Sequence, residues 1–293
     1  MTPRRGRPFE PTQFKYPPDI APMQALVLKA DARRSLLRAH PELGCDLCHG
    51  VDIKGTGHSG TVVQLNSEPP RLFKVFTSIN EAAYDREVSY AMMMQRLIPD
   101  HAVGFIGATK MCDGRAVAEM PCAPNAVDMY YAAKDKTLHC HHMISALDAV
   151  AGMHNAGYLH NDIKPENFLV LRECAKLIDF GTCLPIGATS RGGTTDFMHP
   201  RLSPTTSIAR TVTTDFYAFA VTTQVSLDIT IANAKRDTQA DAATAYCTDS
   251  PIHRALAAAH SMVECAHCNP LLEYDKGEAG KLRAALRECV EWV

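Results

Sequence analysis

Apolar residues recur at helical spacing from about Met23 to His40, with Leu26, Leu28, Leu36 and Leu37 in the pattern, and predict one amphipathic helix. The texture then changes. Between Val51 and Phe76, short β-rich runs broken by glycines and by Pro69-Pro70 predict three antiparallel strands. A helical pattern follows from Glu81 to Leu97. Two further strands are predicted at Gly104–Met111 and Arg115–Glu119, joined at Asp113-Gly114, a strong hairpin turn signal. Pro121 and Pro124 mark an extended connector, and beyond it helical patterns dominate at 137–156, 212–226, 251–266 and 278–291. Residues 1–21, rich in Pro and Arg without periodicity, read as a disordered leader. The resulting division is a leader (1–21), a helical extension (22–48), a small β-rich lobe (49–120) and a larger helical lobe (121–293). Ligand sites favour the cleft that such a layout provides.

Composition changes this picture little. The 293 residues are 46% hydrophobic and 21% charged, with a formal net charge of −2. That balance calls for neither nucleic acid nor an acidic membrane as partner. The apolar stretches are far shorter than a membrane helix needs, and no apolar run follows Arg4, Arg5 and Arg7 as a secretory signal would require. An intracellular protein, cytoplasmic or nuclear, is the expectation. Eleven cysteines include the pairs Cys45/Cys48 and Cys265/Cys268. A zinc site would need these distant pairs to meet, so isolated thiols are the simpler expectation. His139, Cys140, His141 and His142 also resemble a metal cluster on paper. Adjacent helical residues diverge, so only His139 and His142 are expected to share a face.

Candidate chemistry begins at Gly55-Thr56-Gly57-His58-Ser59-Gly60-Thr61-Val62. A dinucleotide fingerprint should open a helix, whereas these glycines sit between strand-forming runs. A glycine-rich hairpin lets backbone N–H groups approach phosphates, with Val62 covering one face of a base. Lys74 lies inside the apolar run Leu72–Phe76. It is either a solvated edge charge or a phosphate contact positioned by a carboxylate. Glu87, thirteen residues on, suits that carboxylate; Glu81, only seven residues on, leaves too little chain for a strand end and a helix turn.

The decisive run is His160-Asn161-Asp162-Ile163-Lys164-Pro165-Glu166-Asn167, followed by Leu177-Ile178-Asp179-Phe180-Gly181. Phosphoryl transfer needs a carboxylate near the attacking hydroxyl, a cation on the transferring phosphate and hard oxygen ligands for Mg²⁺. Asp162, Lys164, and the pair Asn167 and Asp179 supply these in turn. At these residues the sequence resembles the eukaryotic serine/threonine protein kinase superfamily over about residues 50–293, the glycine loop and Lys74 falling in the same order. The resemblance implies an α+β, bilobal fold: a small antiparallel β-rich N-terminal lobe with one main helix, and a larger, mostly helical C-terminal lobe. It implies ATP and Mg²⁺ as cofactors, and protein substrates with Ser/Thr acceptors. By the same resemblance Ala118 matches the gatekeeper, Glu119 to Cys122 (Pro121 included) the adenine-binding hinge, and Leu169 another residue of the nucleotide site. Thr194 matches the threonine that contacts the catalytic aspartate and lysine. Asp215 matches the buried aspartate that anchors the catalytic loop. Lys164 marks the serine/threonine form of that loop.

Four departures stand out. Asn161 replaces the arginine that pairs with a phosphorylated activation loop, so activity is expected not to need phosphorylation at Thr182, Thr189, Ser190 or Thr195. His199-Pro200-Arg201 stands for Ala-Pro-Glu and reverses a charge, so the late-lobe partner is expected to have changed too. Leu72 stands where alanine is common and narrows the adenine pocket, with the small Ala118 nearby. The Thr/Ala-rich region after Asp215 matches weakly. Compactness and these losses resemble the divergent kinases of large DNA viruses, which act in a host cell. The competing readings are a pseudokinase scaffold, argued against by the presence of Lys74, Asp162 and Asp179, and a small-molecule kinase, argued against by the Ile-Lys-Pro-Glu spacer.

Overall fold

The apolar runs between Val51 and Phe76 form three strands, β1 (Val51–Thr56), β2 (Gly60–Leu65) and β3 (Arg71–Phe76). β5 (Ala116–Met120) pairs with β3, and β4 (Gly107–Lys110) with β5, giving an antiparallel sheet of order β1-β2-β3-β5-β4. The computed structural model describes residues 22–44, 50–56, 59–76, 81–111, 115–123, 126–135, 137–190, 192–202, 208–237, 251–268 and 276–292. The expected leader, Gly57, His58, and Cys45 with Cys48 lie outside these residues. By its contacts the chain divides into two compact units, one of residues 1–92 with 104–122 and one of 93–103 with 123–293.

In the first unit, strand alternation sorts the side chains onto two faces. Ile53, Val63, Phe73, Val75 and Val117 join one core with Ala32 and Leu36 of α1 (Pro22–Ala39), the helix that the Met23–His40 pattern predicts. The opposite face carries a row across three strands, in which Val62 pairs with Lys74 and Lys74 with Ala118. α2 (Glu81–Leu97) matches its predicted bounds. Its buried positions, Tyr84, Glu87, Ala91 and Met94, recur every three or four residues. Tyr84 meets the edge of Phe76 at 5.0 Å between ring centres.

The second unit is mostly helical. Its helices are α3 (Met129–Lys134), α4 (Cys140–Asn155), α5 (Val212–Asp237), α6 (Pro251–Cys268) and α7 (Lys276–Trp292). α5 packs on α6, α6 on α7 and α7 on α4. Short strands complete it: β6 (Val127–Asp128), β8 (Phe168–Val170) and β9 (Ala175–Leu177) in one sheet, β7 (Tyr158–Leu159) with β10 (Leu184–Pro185), and β11 (Thr189–Ser190) with β12 (Ile208–Ala209). Residues 93–103 cluster here because Val103 N–H donates to the Leu177 carbonyl (2.8 Å) and Leu177 N–H to the His101 carbonyl (2.8 Å).

α5 runs eleven residues beyond its expected end at 226, to Asp237. Thr222, Thr223 and Ser226 are fully buried, and the Thr223 hydroxyl donates to the Phe219 carbonyl four residues back at 3.0 Å. Back-bonding of this kind satisfies Thr223 inside the helix, whereas Thr222 Oγ1 and Ser226 Oγ have no hydrogen-bond partner among the described residues. The histidines at the start of α4 also differ from expectation. His139 and His142 form a capping box, His142 Nδ1 accepting the His139 N–H at 3.0 Å. But the adjacent His141 and His142 meet as well, with ring centres 4.0 Å apart and Nε2 atoms 3.0 Å apart. At the first turn of a helix, long rings fold back far enough to touch across one position.

Candidate active site

In the β-rich unit, Lys74 is 9% exposed at the centre of the sheet, where a lone ammonium would be costly to bury. Its partner is Glu87, 5% exposed, and the two form a buried ion pair. Glu81 lies off the buried stripe of α2 and pairs instead with Lys110. The Lys74 ammonium also sits 5.2 Å from the Phe76 ring centre. Gly55 is opposite Val62, and Thr56 opposite Thr61, so strands run into the glycine loop from both sides. Ser59 immediately precedes the return strand, which begins at Gly60. Gly60 packs so closely on β3 that a Cβ there would run into the Val75 carbonyl oxygen. Leu72 and Ala118 share the Lys74 face, the bulky side chain beside the small one. Glu119 is a strand residue: its carbonyl accepts Ile106 N–H at 2.9 Å, and its carboxylate takes two bonds from Arg71 at 2.8 and 2.9 Å. Pro121 has no N–H, so a carbonyl is all its backbone can offer an adenine.

In the helical unit, the segment His160–Asn167 runs between β7 and β8. Asp215, 1% exposed on α5, holds its start: Oδ2 accepts His160 N–H at 2.8 Å and Oδ1 accepts Asn161 N–H at 2.9 Å. His154 Nε2–H also donates to Asp215, at 3.1 Å. Asn161 adopts φ 63°, a left-handed conformation asparagine tolerates better than most residues. This turn delivers Asp162 into a closed triangle. Lys164 Nζ lies 2.8 Å from Asp162 Oδ2, the Thr194 hydroxyl donates to Asp162 Oδ1 at 2.7 Å, and Lys164 Nζ donates to Thr194 Oγ1 at 3.0 Å. Burial pushes the Asp162 carboxyl up, but the Lys164 charge and the bonds from Lys164 and Thr194 outweigh it and hold the group below its ordinary value. Asp162 is therefore a carboxylate at neutral pH.

Asn167 donates its Nδ2 to the Asp162 carbonyl (2.7 Å) and to Asp162 Oδ2 (3.1 Å). Its Oδ1 is buried and has no hydrogen-bond partner among the described residues. A hard oxygen left over in this way suits a hard cation. Asp179, at φ 61°, is half-buried beyond β9. Leu169 alternates with the buried Phe168 and Val170 and so turns to the other side of its strand.

The family model of the protein kinase domain matches residues 55–258. The chain belongs to the protein kinase family. Relatives match over short stretches. Rho-associated protein kinase let-502 of Caenorhabditis briggsae is 38% identical over 63 residues, 19% of this chain and 5% of that protein. Cyclin-dependent kinase F-3 of Oryza sativa subsp. japonica is 43% identical over 47 residues, 16% and 11% of the respective chains. Cyclin-dependent kinase F-4 of the same rice is 58% identical over 33 residues, 11% and 7%. The fold of this kinase is the one the sequence predicts, an antiparallel β-rich part followed by a mostly helical one. Among the described residues no helix is long and apolar enough to cross a membrane.

The departures of this kinase have a local chemistry of their own. The Asn161 side chain donates to the Thr182 carbonyl (3.4 Å) and to the Ser190 hydroxyl (3.3 Å). Thr182 Oγ1 donates to the His160 carbonyl at 2.9 Å, and Ser190 Oγ accepts Gly192 N–H at 3.0 Å. Arg210, 1% exposed, donates through Nη2 to the Ser190 and Gly192 carbonyls, both at 3.0 Å. Sequence reasoning missed Arg210; a lone arginine between Ala209 and Thr211 carries no signal of burial. Arg201 reaches Thr211 Oγ1 at 2.9 Å, and its N–H donates to the buried His199 ring at 3.2 Å. Arg283 of α7 pairs with Asp148 of α4.

Proposed function

We propose that this kinase transfers the γ-phosphoryl group of ATP to serine or threonine hydroxyls of protein substrates, with Asp162 as the base. The observation that carries the reading is the triangle of Asp162, Lys164 and Thr194 beside an Asn167 oxygen with no partner. In the reaction the substrate oxygen bonds to the γ-phosphorus, the bond from that phosphorus to the β–γ bridging oxygen breaks, and ADP leaves. The hydroxyl proton passes to Asp162 as its oxygen becomes bonded to phosphorus. Lys164, held by Asp162 and Thr194, is the cation for the transferring phosphoryl oxygens. Lys74, kept in place by Glu87, is the cation for the non-transferred phosphates, with the loop Gly55, Thr56, Gly57, His58, Ser59 and Gly60 offering backbone N–H groups. Val62, Glu119, Pro121 and Leu169 are the adenine contacts of this reading. Asn167 Oδ1 and the Asp179 carboxylate would hold Mg²⁺, which when bound supplies charge neutralisation of the phosphates.

Serine/threonine preference rests on Lys164. The test is incorporation of labelled phosphate from ATP into a basic protein substrate by the full chain and by Asp162→Asn, followed by phosphoamino-acid analysis. The expected result is phosphoserine or phosphothreonine, reduced roughly 10²–10⁴-fold in the variant. Equal incorporation by the variant, or phosphotyrosine alone, would overturn the proposal.

A further inference from the structure

Away from the catalytic triangle, the helical unit holds a cavity of about 210 Å³ among α4, the start of α5 and α7. Its apolar wall includes Leu147, Ala151, Val212 and Phe216, and the exposed Gly280 lies at its edge. Asp148, His154, Asn155 and Arg283 interrupt that wall, and two of them, His154 and Arg283, have an orphaned atom. His154 is 5% exposed at its side chain and gives its Nε2–H to Asp215, which leaves Nδ1 as its second ring nitrogen. His154 Nδ1 is buried without a hydrogen-bond partner among the described residues, and so is Nε of Arg283, a donor. Two buried nitrogens without partners beside an apolar void are a mismatch that a ligand with a hydroxyl group resolves, since a hydroxyl both donates and accepts.

We propose that this cavity is a binding site for a small aromatic molecule of two fused rings bearing one hydroxyl group. The size argument is direct: an apolar cavity of about 150 Å³ takes up benzene, and this one is larger. A Cβ built at Gly280 meets nothing within 4 Å, so a larger side chain fits at the cavity's edge. The location gives the site a consequence. His154 and Phe216 both line the cavity and flank Asp215, the Phe216 ring meeting the His154 ring edge-on at 4.8 Å. An occupant therefore presses on the two side chains that position the carboxylate holding His160 and Asn161.

The test uses the full chain and 2-naphthol as probe, with naphthalene as the analogue lacking the hydroxyl. Saturable one-to-one binding of 2-naphthol is expected by fluorescence titration, with naphthalene about tenfold weaker. Gly280→Leu should remove binding by filling the space. Hydrogen exchange at the His160 and Asn161 amides should slow on binding, a readout that does not depend on phosphotransfer. Lack of saturation, equal affinity for the two probes, or undiminished binding in Gly280→Leu would sink the site. Unchanged exchange at both amides would sink its link to the catalytic loop. The comparison of the two probes on the unaltered chain decides the question even if Gly280→Leu fails to fold.

Discussion

The Asn161 side chain donates to the Ser190 hydroxyl at 3.3 Å and ties the segment His160–Asn167 directly to the segment that follows Asp179. Where the family uses an arginine awaiting a phosphate, a neutral amide meets a neutral hydroxyl. The prediction is therefore sharper than the sequence alone allows, because Thr182 and Ser190 prove to be structural partners. Replacing the exposed Thr189 and Thr195 together by alanine should leave phosphotransfer within about twofold. Ser190→Ala, which strands the Asn161 amide and the Gly192 N–H, should lower it by roughly tenfold. Steady-state rates on one substrate check both. A collapse of activity in the Thr189/Thr195 double variant would show that phosphorylation is needed after all.

Thr194 stands between the two charges it bridges. Thr194→Val removes the donor to Asp162 and the acceptor for Lys164, and should lower kcat about 10- to 100-fold, whereas Thr194→Ser should recover most of it. Asp162 is held below its ordinary value, so it is ionised above that value and loses its charge as pH falls through the lowered one. Loss of the Thr194 bond raises the carboxyl, and the acid limb of the rate profile should move to higher pH. A pH profile of kcat/KM reads the shift directly.

Arg210 is the largest fully buried side chain among the described residues, and burial pulls its pKa down while Asp215 opposes that pull. Arg210→Met keeps much of the volume but leaves the Ser190 and Gly192 carbonyls without their donor. A loss of about 3 kcal/mol is expected, or a Tm lower by about 6–12 °C. Arg210→Lys should lose about half as much. Scanning calorimetry on the three proteins would show it; a Tm unchanged within a degree would mean these bonds contribute nothing net.

His142 gives a pH dependence. Burial first, then the neighbouring His141 and His139, push it down from 6.5 to about 4. The folded chain thus favours the neutral ring, and that stability is complete above pH 6.5 and lost as pH falls towards 4. With solvent screening allowed for, the effect is on the order of 2 kcal/mol. Denaturant unfolding at pH 7 and pH 4.5 should show this slope in the native chain and a flatter one in His142→Gln.

Long, strongly periodic elements were legible: α2 has its predicted bounds, and the five strands of the sheet follow from short β-rich runs and the turn signals between them. Glu87 could be preferred to Glu81 from spacing, and the burial of Tyr84, Glu87, Ala91 and Met94 gives the firmer reason, since a helix has one inward stripe. What escaped was local or non-local in ways that pattern cannot express. α3 and the two-residue strands are too short to have a period. The contact of His141 with His142 depends on ring length at a helix start. Arg210 is buried by partners twenty and eighteen residues away, and nothing beside it in the chain says so.

Gly60 and Gly193 impose a different kind of demand. At Gly60 any side chain would run into the β3 backbone, and at Gly193 (φ 114°) it would meet the Asn161 carbonyl at 2.9 Å. A display library randomised at these two codons and sorted only for proteolytic resistance, with no nucleotide present, should return glycine at both. Glycine recovered there would record how closely the backbones pass rather than what they bind, so a motif position can be invariant in a selection that never asks for activity.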